Sequence, residues 1–186
     1  MISALGTDRA LETVVTERPI SVRTQAERWG AEAKRLADAG REVAAFDLYR
    51  KAADALPGAP WLQHRTAELA HKLKRADLAL EYFRRSANGF IKAGFDRRAV
   101  APLRMAWSVA REQLPAMATS LSDVAHELAG LLVRLALVAD AEVVRDQTDD
   151  ALRQARLRSL APASERSSAS KRESWRPTLT PRPAAP

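Results

Sequence analysis

The chain has 186 residues, 46% of them apolar and only 5% aromatic, no cysteine and a formal net charge of +7, which leaves room for one continuous core with extensions and not for two large domains. A core of that composition is built from Ala, Leu and Val, residues that suit closely packed helices, and the lack of cysteine excludes disulfides, thiolate metal sites and thiol nucleophiles. The surplus charge lies on residues 25–115 (17 basic, 11 acidic) and on 161–186 (5 basic, 2 acidic), interleaved with acids like a solvated helix surface and not laid out as a phosphate track.

Taken in chain order, the opening MISALGTDRALETVV has no basic start followed by an apolar run, so a secretory leader is not expected and a cytoplasmic location is. Within the N-terminal extension 1–24, Leu11, Val14 and Val15 after Thr7 and Asp8 read as a short amphipathic helix ending before Pro19. From Thr24 to Leu160, helical periodicity broken by Gly, Asp or Pro predicts helices near 25–39, 42–56, 61–74, 77–93, 97–113, 118–139 and 141–158. Connections of a few residues make these antiparallel hairpins within one helical domain, 25–160. Pro102 should kink its helix or delay its start. Val124 to Ala139 is the most apolar run, but it is too short to span a bilayer and contains Glu127 and Arg134, so it reads as a buried helix. The helix at 141–158 sets Glu142, Arg145, Asp146, Asp149, Asp150, Arg153 and Arg156 around a narrow stripe of Val144, Ala151, Leu152 and Ala155, as a terminal cap requires. Residues 161–186, rich in Pro, Ser and Arg, offer almost nothing to bury and are expected to be a disordered tail.

GREVAAFDLYRKAADALP at 40–57 is nearly echoed by RADLALEYFRRSANGF at 75–90. A coiled coil would need an unbroken heptad seam, and Gly40, the Pro57-Gly58-Ala59-Pro60 run and Gly94 interrupt any such seam. The 34-residue interval from Tyr49 to Phe83, and from Ala45 to Ala79, is the period of a helix-turn-helix repeat, so the chain reads as a stacked array. Ala33, Ala45 and Ala52 allow close backbone approach, while Trp29, Tyr49 and Phe83 fill the gaps between hairpins.

Trp29, Ala33, Leu36, Gly40, Ala45, Tyr49, Ala52 and Pro57 follow the order and spacing of a tetratricopeptide repeat, which the segment 26–57 resembles. The segment 60–93 keeps Ala67, Ala79 and Phe83 but places Gln63 at the first aromatic site and Ser86 at the late small site. Further on, Trp107, Ala110 and Pro115 resemble another second-helix ending, although Trp107 follows Phe83 by 24 residues, and Leu128, Ala129, Leu132 and Ala141 resemble the small and large sites of a weaker unit. YFRRSANGFIKAGFDRRAVAPLRMAW is also similar to a segment of small bacterial tetratricopeptide proteins. The resemblance implies an all-α, right-handed stack of six or seven helices whose first helices line a concave surface that receives an extended or helical peptide.

Nothing in the sequence assembles a catalytic constellation, and an enzyme is not expected. His64 and His71 lie seven residues apart on one helix, about 10 Å along its axis and too far to share a metal ion, and His126 is on another helix. Asp149 and Asp150 point about 100° apart around their helix and read as a solvated face. GAP at 58–60 and AGF at 93–95 are turns and not phosphate loops. No cofactor or metal is expected. Lys72-Leu73-Lys74-Arg75, Arg84-Arg85 and Arg97-Arg98 fall near helix ends without interleaved aromatics, which argues against nucleic acid and keeps a nucleic-acid-associated regulator only as an alternative.

On the concave surface the resemblance implies Lys34, Asp38, Trp61, His64, Arg65, Glu68, His71 and Lys72, a net basic set with aromatic relief. The carboxylate clamp of some tetratricopeptide proteins is absent, because its positions carry Gly30, Lys34 and Arg65, but Lys34 and Arg65 can still hold an acidic peptide. In the tail, Arg172, Trp175, Arg176 and Pro177 form a second docking strip with the tryptophan as anchor. The sequence thus reads as a non-enzymatic adaptor or scaffold that binds a segment of another protein, with a small chaperone as the alternative and self-association open at either end.

Overall fold

The computed structural model describes residues 21–160; the expected N-terminal helix and the tail strip at Arg172, Trp175, Arg176 and Pro177 lie outside them. Seven helices, and no strand among the described residues, follow one another: α1 (Val22–Asp38), α2 (Glu42–Ala55), α3 (Pro60–Lys72), α4 (Ala76–Lys92), α5 (Asp96–Glu112), α6 (Ala118–Arg134) and α7 (Val138–Leu160). None of them is long and apolar enough to cross a membrane. α1 starts three residues earlier than the periodicity predicts because Ser21 caps it, its hydroxyl accepting from the Thr24 amide at 3.1 Å. α3 opens on Pro60, whose missing N–H would have no partner in a first turn.

Four of the six connections are the same tight turn. After α1 the Arg41 amide donates to Leu36 and the Gly40 amide to Ala37, and the same pair of bonds recurs at Arg75/Lys74, Phe95/Gly94 and Leu137/Ala136. Each turn needs one residue with positive φ: Gly40 (74°), Lys74 (61°), Gly94 (77°) and Ala136 (61°). The helix expected over 118–139 therefore ends early, at Arg134, and the one expected over 141–158 begins early, at Val138. The apolar run is cut at Ala136, where no glycine announces the turn. α5 runs from Asp96 through the buried Pro102 to Glu112, so the proline does not delay its start.

Successive helices pack as an antiparallel stack, and α4 lies against α5 as closely as against α3. Trp107 belongs to α5 and does not end a second helix; its indole N–H donates to the Thr148 hydroxyl of α7 at 2.9 Å. The core is alanine-rich: Ala26, Ala33, Ala45, Ala52, Ala67 and Ala79 are fully buried around Phe46, Leu62 and Phe83, and the small side chains bring the backbones together. At the two sites where the second repeat departs from its pattern, hydrogen bonds replace packing. Gln63 donates to the Pro57 carbonyl at 2.7 Å and Ser86 to the Pro60 carbonyl at 2.9 Å, tying the α2–α3 loop to α3 and α4. Gly89 admits Pro60, which a Cβ there would meet at 3.1 Å. α7 closes the stack as a cap should: Ala141, Val144 and Thr148 are buried, Ala151, Leu152 and Ala155 half-buried, and the charged residues between them exposed.

Candidate functional site

α1 and α3 stand side by side on one face of the stack, separated by a cleft of about 650 Å³. Small residues on α1 make the space, Gly30, Ala31 and Ala37, and Leu69 of α3 and Tyr49 of α2 form part of the lining. Of the eight residues expected on this surface, Lys34, Asp38, Trp61, Arg65, Glu68 and Lys72 line the cleft together. His64 and His71 do not. His64 turns its ring edge-on to Phe83, centroids 5.5 Å apart, with Nε2 at 3.5 Å from Glu68 and Nδ1 buried without a partner. His71 faces Glu112 of α5 at 4.0 Å.

The lining corrects the expectation of a net basic surface. Glu27 joins it from α1, two turns before Lys34, so three cations (Lys34, Arg65, Lys72) meet three anions (Glu27, Asp38, Glu68). Each cation also has an acid at hand: Lys34 Nζ donates to Asp38 at 2.6 Å, Arg65 Nη1 to Glu68 at 2.8 Å, and Lys72 pairs with Glu42 of α2. The hydrogen bond to Asp38 raises the Lys34 ammonium above the usual lysine range. Glu68 is held below the usual carboxylate range by the His64 N–H facing it and by Arg65, against its partial burial. Pairs this exposed add little to stability. Their consequence is that the cleft presents no unbalanced charge.

Two features of the cleft are not electrostatic. Tyr49 is only 5% exposed, yet its hydroxyl makes no hydrogen bond to any described residue and keeps access to the cleft it lines. Burial raises its pKa above the ordinary phenol value, with Arg65 and Lys34 acting in the opposite sense and Asp38 and Glu68 reinforcing it, which places the hydroxyl among all four charged groups. Opposite, Trp61 is 47% exposed and lies on the bare backbone of Gly30, where a Cβ would stand 3.1 Å from the indole. A glycine inside a helix costs about 1 kcal/mol relative to alanine. Here it gives the indole its shelf.

Most cations of the basic clusters have partners elsewhere in the fold. Arg84 pairs with Glu127 of α6, Arg85 with Glu81 and Asp54, and Arg75 and Arg98 lie over the rings of Phe46 and Phe95. Asp149 and Asp150 are both exposed on α7, and His126 is exposed on α6. A second cleft, about 610 Å³, separates the end of α5 from α7 and is lined by Arg111, Glu112, Leu114, Asp150, Gln154 and Arg158 among others. It has no counterpart to Tyr49 or Trp61.

No protein-family model matches the chain, and no curated protein matches it. Among solved structures, the crystal structure of BtubC (BKLC) from P. vanneervenii is similar at a TM-score of 0.41 and 12% identity, over 91% of this chain and 72% of that one. A likeness at that level carries no argument about function.

Proposed function

We propose that this protein is a non-enzymatic adaptor of tetratricopeptide-repeat type that docks a peptide segment of another protein in the cleft between α1 and α3. The carrying observation is that residues from two helices more than twenty positions apart in sequence, Lys34 and Asp38 on one and Trp61, Arg65, Glu68 and Lys72 on the other, converge on one open cleft that no side chain of the fold fills. The helices hold these side chains on preformed walls, which lowers the ordering cost of binding.

A photo-crosslinking amino acid at Ala31, which lines the cleft, tests the reading against the same group at Arg145 on the exposed face of α7. A discrete protein adduct from position 31, absent from 145, is the expected result. Equal adducts from both positions would move docking off this face.

A further inference from the structure

We infer that the α1–α3 cleft takes an extended peptide strand of about five residues, close to neutral in net charge, with an aromatic or proline ring stacked on Trp61 and a main-chain carbonyl accepting from the Tyr49 hydroxyl. The inference rests on the docking function proposed above and assigns the ligand's conformation, charge and anchor.

Conformation follows from the length of the cleft and from the Tyr49 hydroxyl. The lining of α1 runs from Glu27 to Asp38, about 17 Å at 1.5 Å per residue. A helical ligand spends its main-chain carbonyls on its own hydrogen bonds, whereas an extended strand leaves them free to accept from the hydroxyl. At about 3.3 Å per residue five extended residues fill the length.

Charge follows from balance. Lys34, Arg65 and Lys72 are each within contact of Asp38, Glu68 or Glu42. A strongly acidic strand would set its carboxylates beside Glu27, Asp38 and Glu68, and a strongly basic one would meet the three cations. A strand of low net charge avoids both.

The anchor follows from Gly30, Trp61 and Tyr49. A half-exposed indole lying on a mid-helix glycine offers a flat apolar surface to the cleft, the kind of surface on which rings stack. The Tyr49 side chain lines the cleft, and its hydroxyl makes no hydrogen bond to a described residue. It can donate to a strand carbonyl, and a phenylalanine would fill the same gap between hairpins without it.

The test pans a phage-displayed library of random seven-residue peptides against the full chain, then titrates the enriched peptides on wild type, Tyr49→Phe, Trp61→Ala and Lys34→Glu/Arg65→Glu. The expected outcome is a recurrent aromatic or proline position within sequences of near-zero net charge, no gain of helical circular dichroism on binding, and affinity changing less than about 3-fold between 50 and 500 mM salt. Affinity should fall about 10-fold or more in Trp61→Ala and about 3- to 10-fold in Tyr49→Phe. Tyr49→Phe keeps the ring, so its melt serves as the folding control, and Trp61→Ala removes a half-exposed group. Acidic or helical enriched peptides, indifferent to Trp61→Ala but lost in the double charge reversal, would overturn this inference and leave the docking function standing. No enrichment, or peptides indifferent to all three variants, would overturn both. Sensitivity to Trp61→Ala alone would remove Tyr49 from the site.

Discussion

The four matching turns permit a reciprocal exchange in which glycine and side-chain-bearing residues trade places. A residue with a Cβ held in the left-handed region costs about 1–2 kcal/mol, and glycine gives back about 0.5–1 kcal/mol of that through its greater freedom in the unfolded chain. Lys74→Gly and Ala136→Gly, both at φ 61°, should therefore each stabilise the protein by about 0.5–1 kcal/mol. The two turns lie at opposite ends of helices about 25 Å long, so the double variant should gain the sum, about 1–2 kcal/mol. For a domain of this size that is a rise of about 3–8 °C in the melting midpoint. In the opposite direction, nothing lies within 4 Å of a Cβ built on Gly40 or Gly94. Gly40→Ala and Gly94→Ala thus report backbone strain alone and should each lose about 0.5–1 kcal/mol. Thermal melts at 222 nm, with urea midpoints at constant slope, measure all four. If Ala136→Gly melts lower than wild type, or Gly40→Ala melts the same, the shared turn geometry is wrong.

Phe83 is fully buried against the His64 ring, so Phe83→Ala should cost about 3–5 kcal/mol and lower the melting midpoint by about 10 °C or more; a change under about 1 kcal/mol would remove Phe83 from the core between hairpins. Burial, with the hydrogen bond to Asp54 at 2.9 Å, pushes the Tyr82 phenol up to about 12. Because its folded pKa lies above the ordinary value near 10, the stability it contributes is complete below pH 10 and is lost as pH rises from about 10 to 12. Urea midpoints should fall over that window more steeply in wild type than in Tyr82→Phe, and parallel curves would show that this phenol does not drive the loss.

Most of the architecture was legible from spacing because its determinants are local. Helices α2 to α5 end within about two residues of the predicted bounds, at places where Gly40, the Pro57 to Pro60 run and Gly94 stop them. The turn at Ala136 was invisible: alanine is a strong helix former, its neighbours are apolar, and only the tertiary pairing of α6 with α7 forces it to positive φ. Pro102 left the start of α5 where periodicity put it, and the helix carries the proline inside it. In the site, the periodicity placed charged residues on the right helices but could not show which were paired. Glu42 of α2 cancels the Lys72 charge that looks free along the chain, and Glu27, paired with Arg23, adds an acid to the lining. Tyr49 read as a packing wedge, and so it is; the only hint of its hydroxyl was the choice of tyrosine where phenylalanine would pack as well. Gly30 had a signal of its own, a helix-weakening residue in the middle of a strong helix.

The links between hairpins are unevenly distributed, and this gives the molecule a mechanical bias. The even-numbered helices are joined laterally: the Tyr82 hydroxyl and the Arg85 guanidinium both reach Asp54, connecting α4 to α2, and Arg84 reaches Glu127, connecting α4 to α6. Between α1 and α3, among the described residues, no hydrogen bond or ion pair crosses the cleft. The other odd-numbered neighbours are tied, α3 to α5 by His71 and Glu112 and α5 to α7 by Trp107 with Thr148 and Arg104 with Asp140, so the looseness is confined to the α1–α3 end of the stack. Fanning α1 away from α3 costs only weak contacts at the cleft and leaves every one of these ties intact. A cleft that widens and narrows in this way can seat side chains of different bulk on the indole shelf while the rest of the stack keeps its shape.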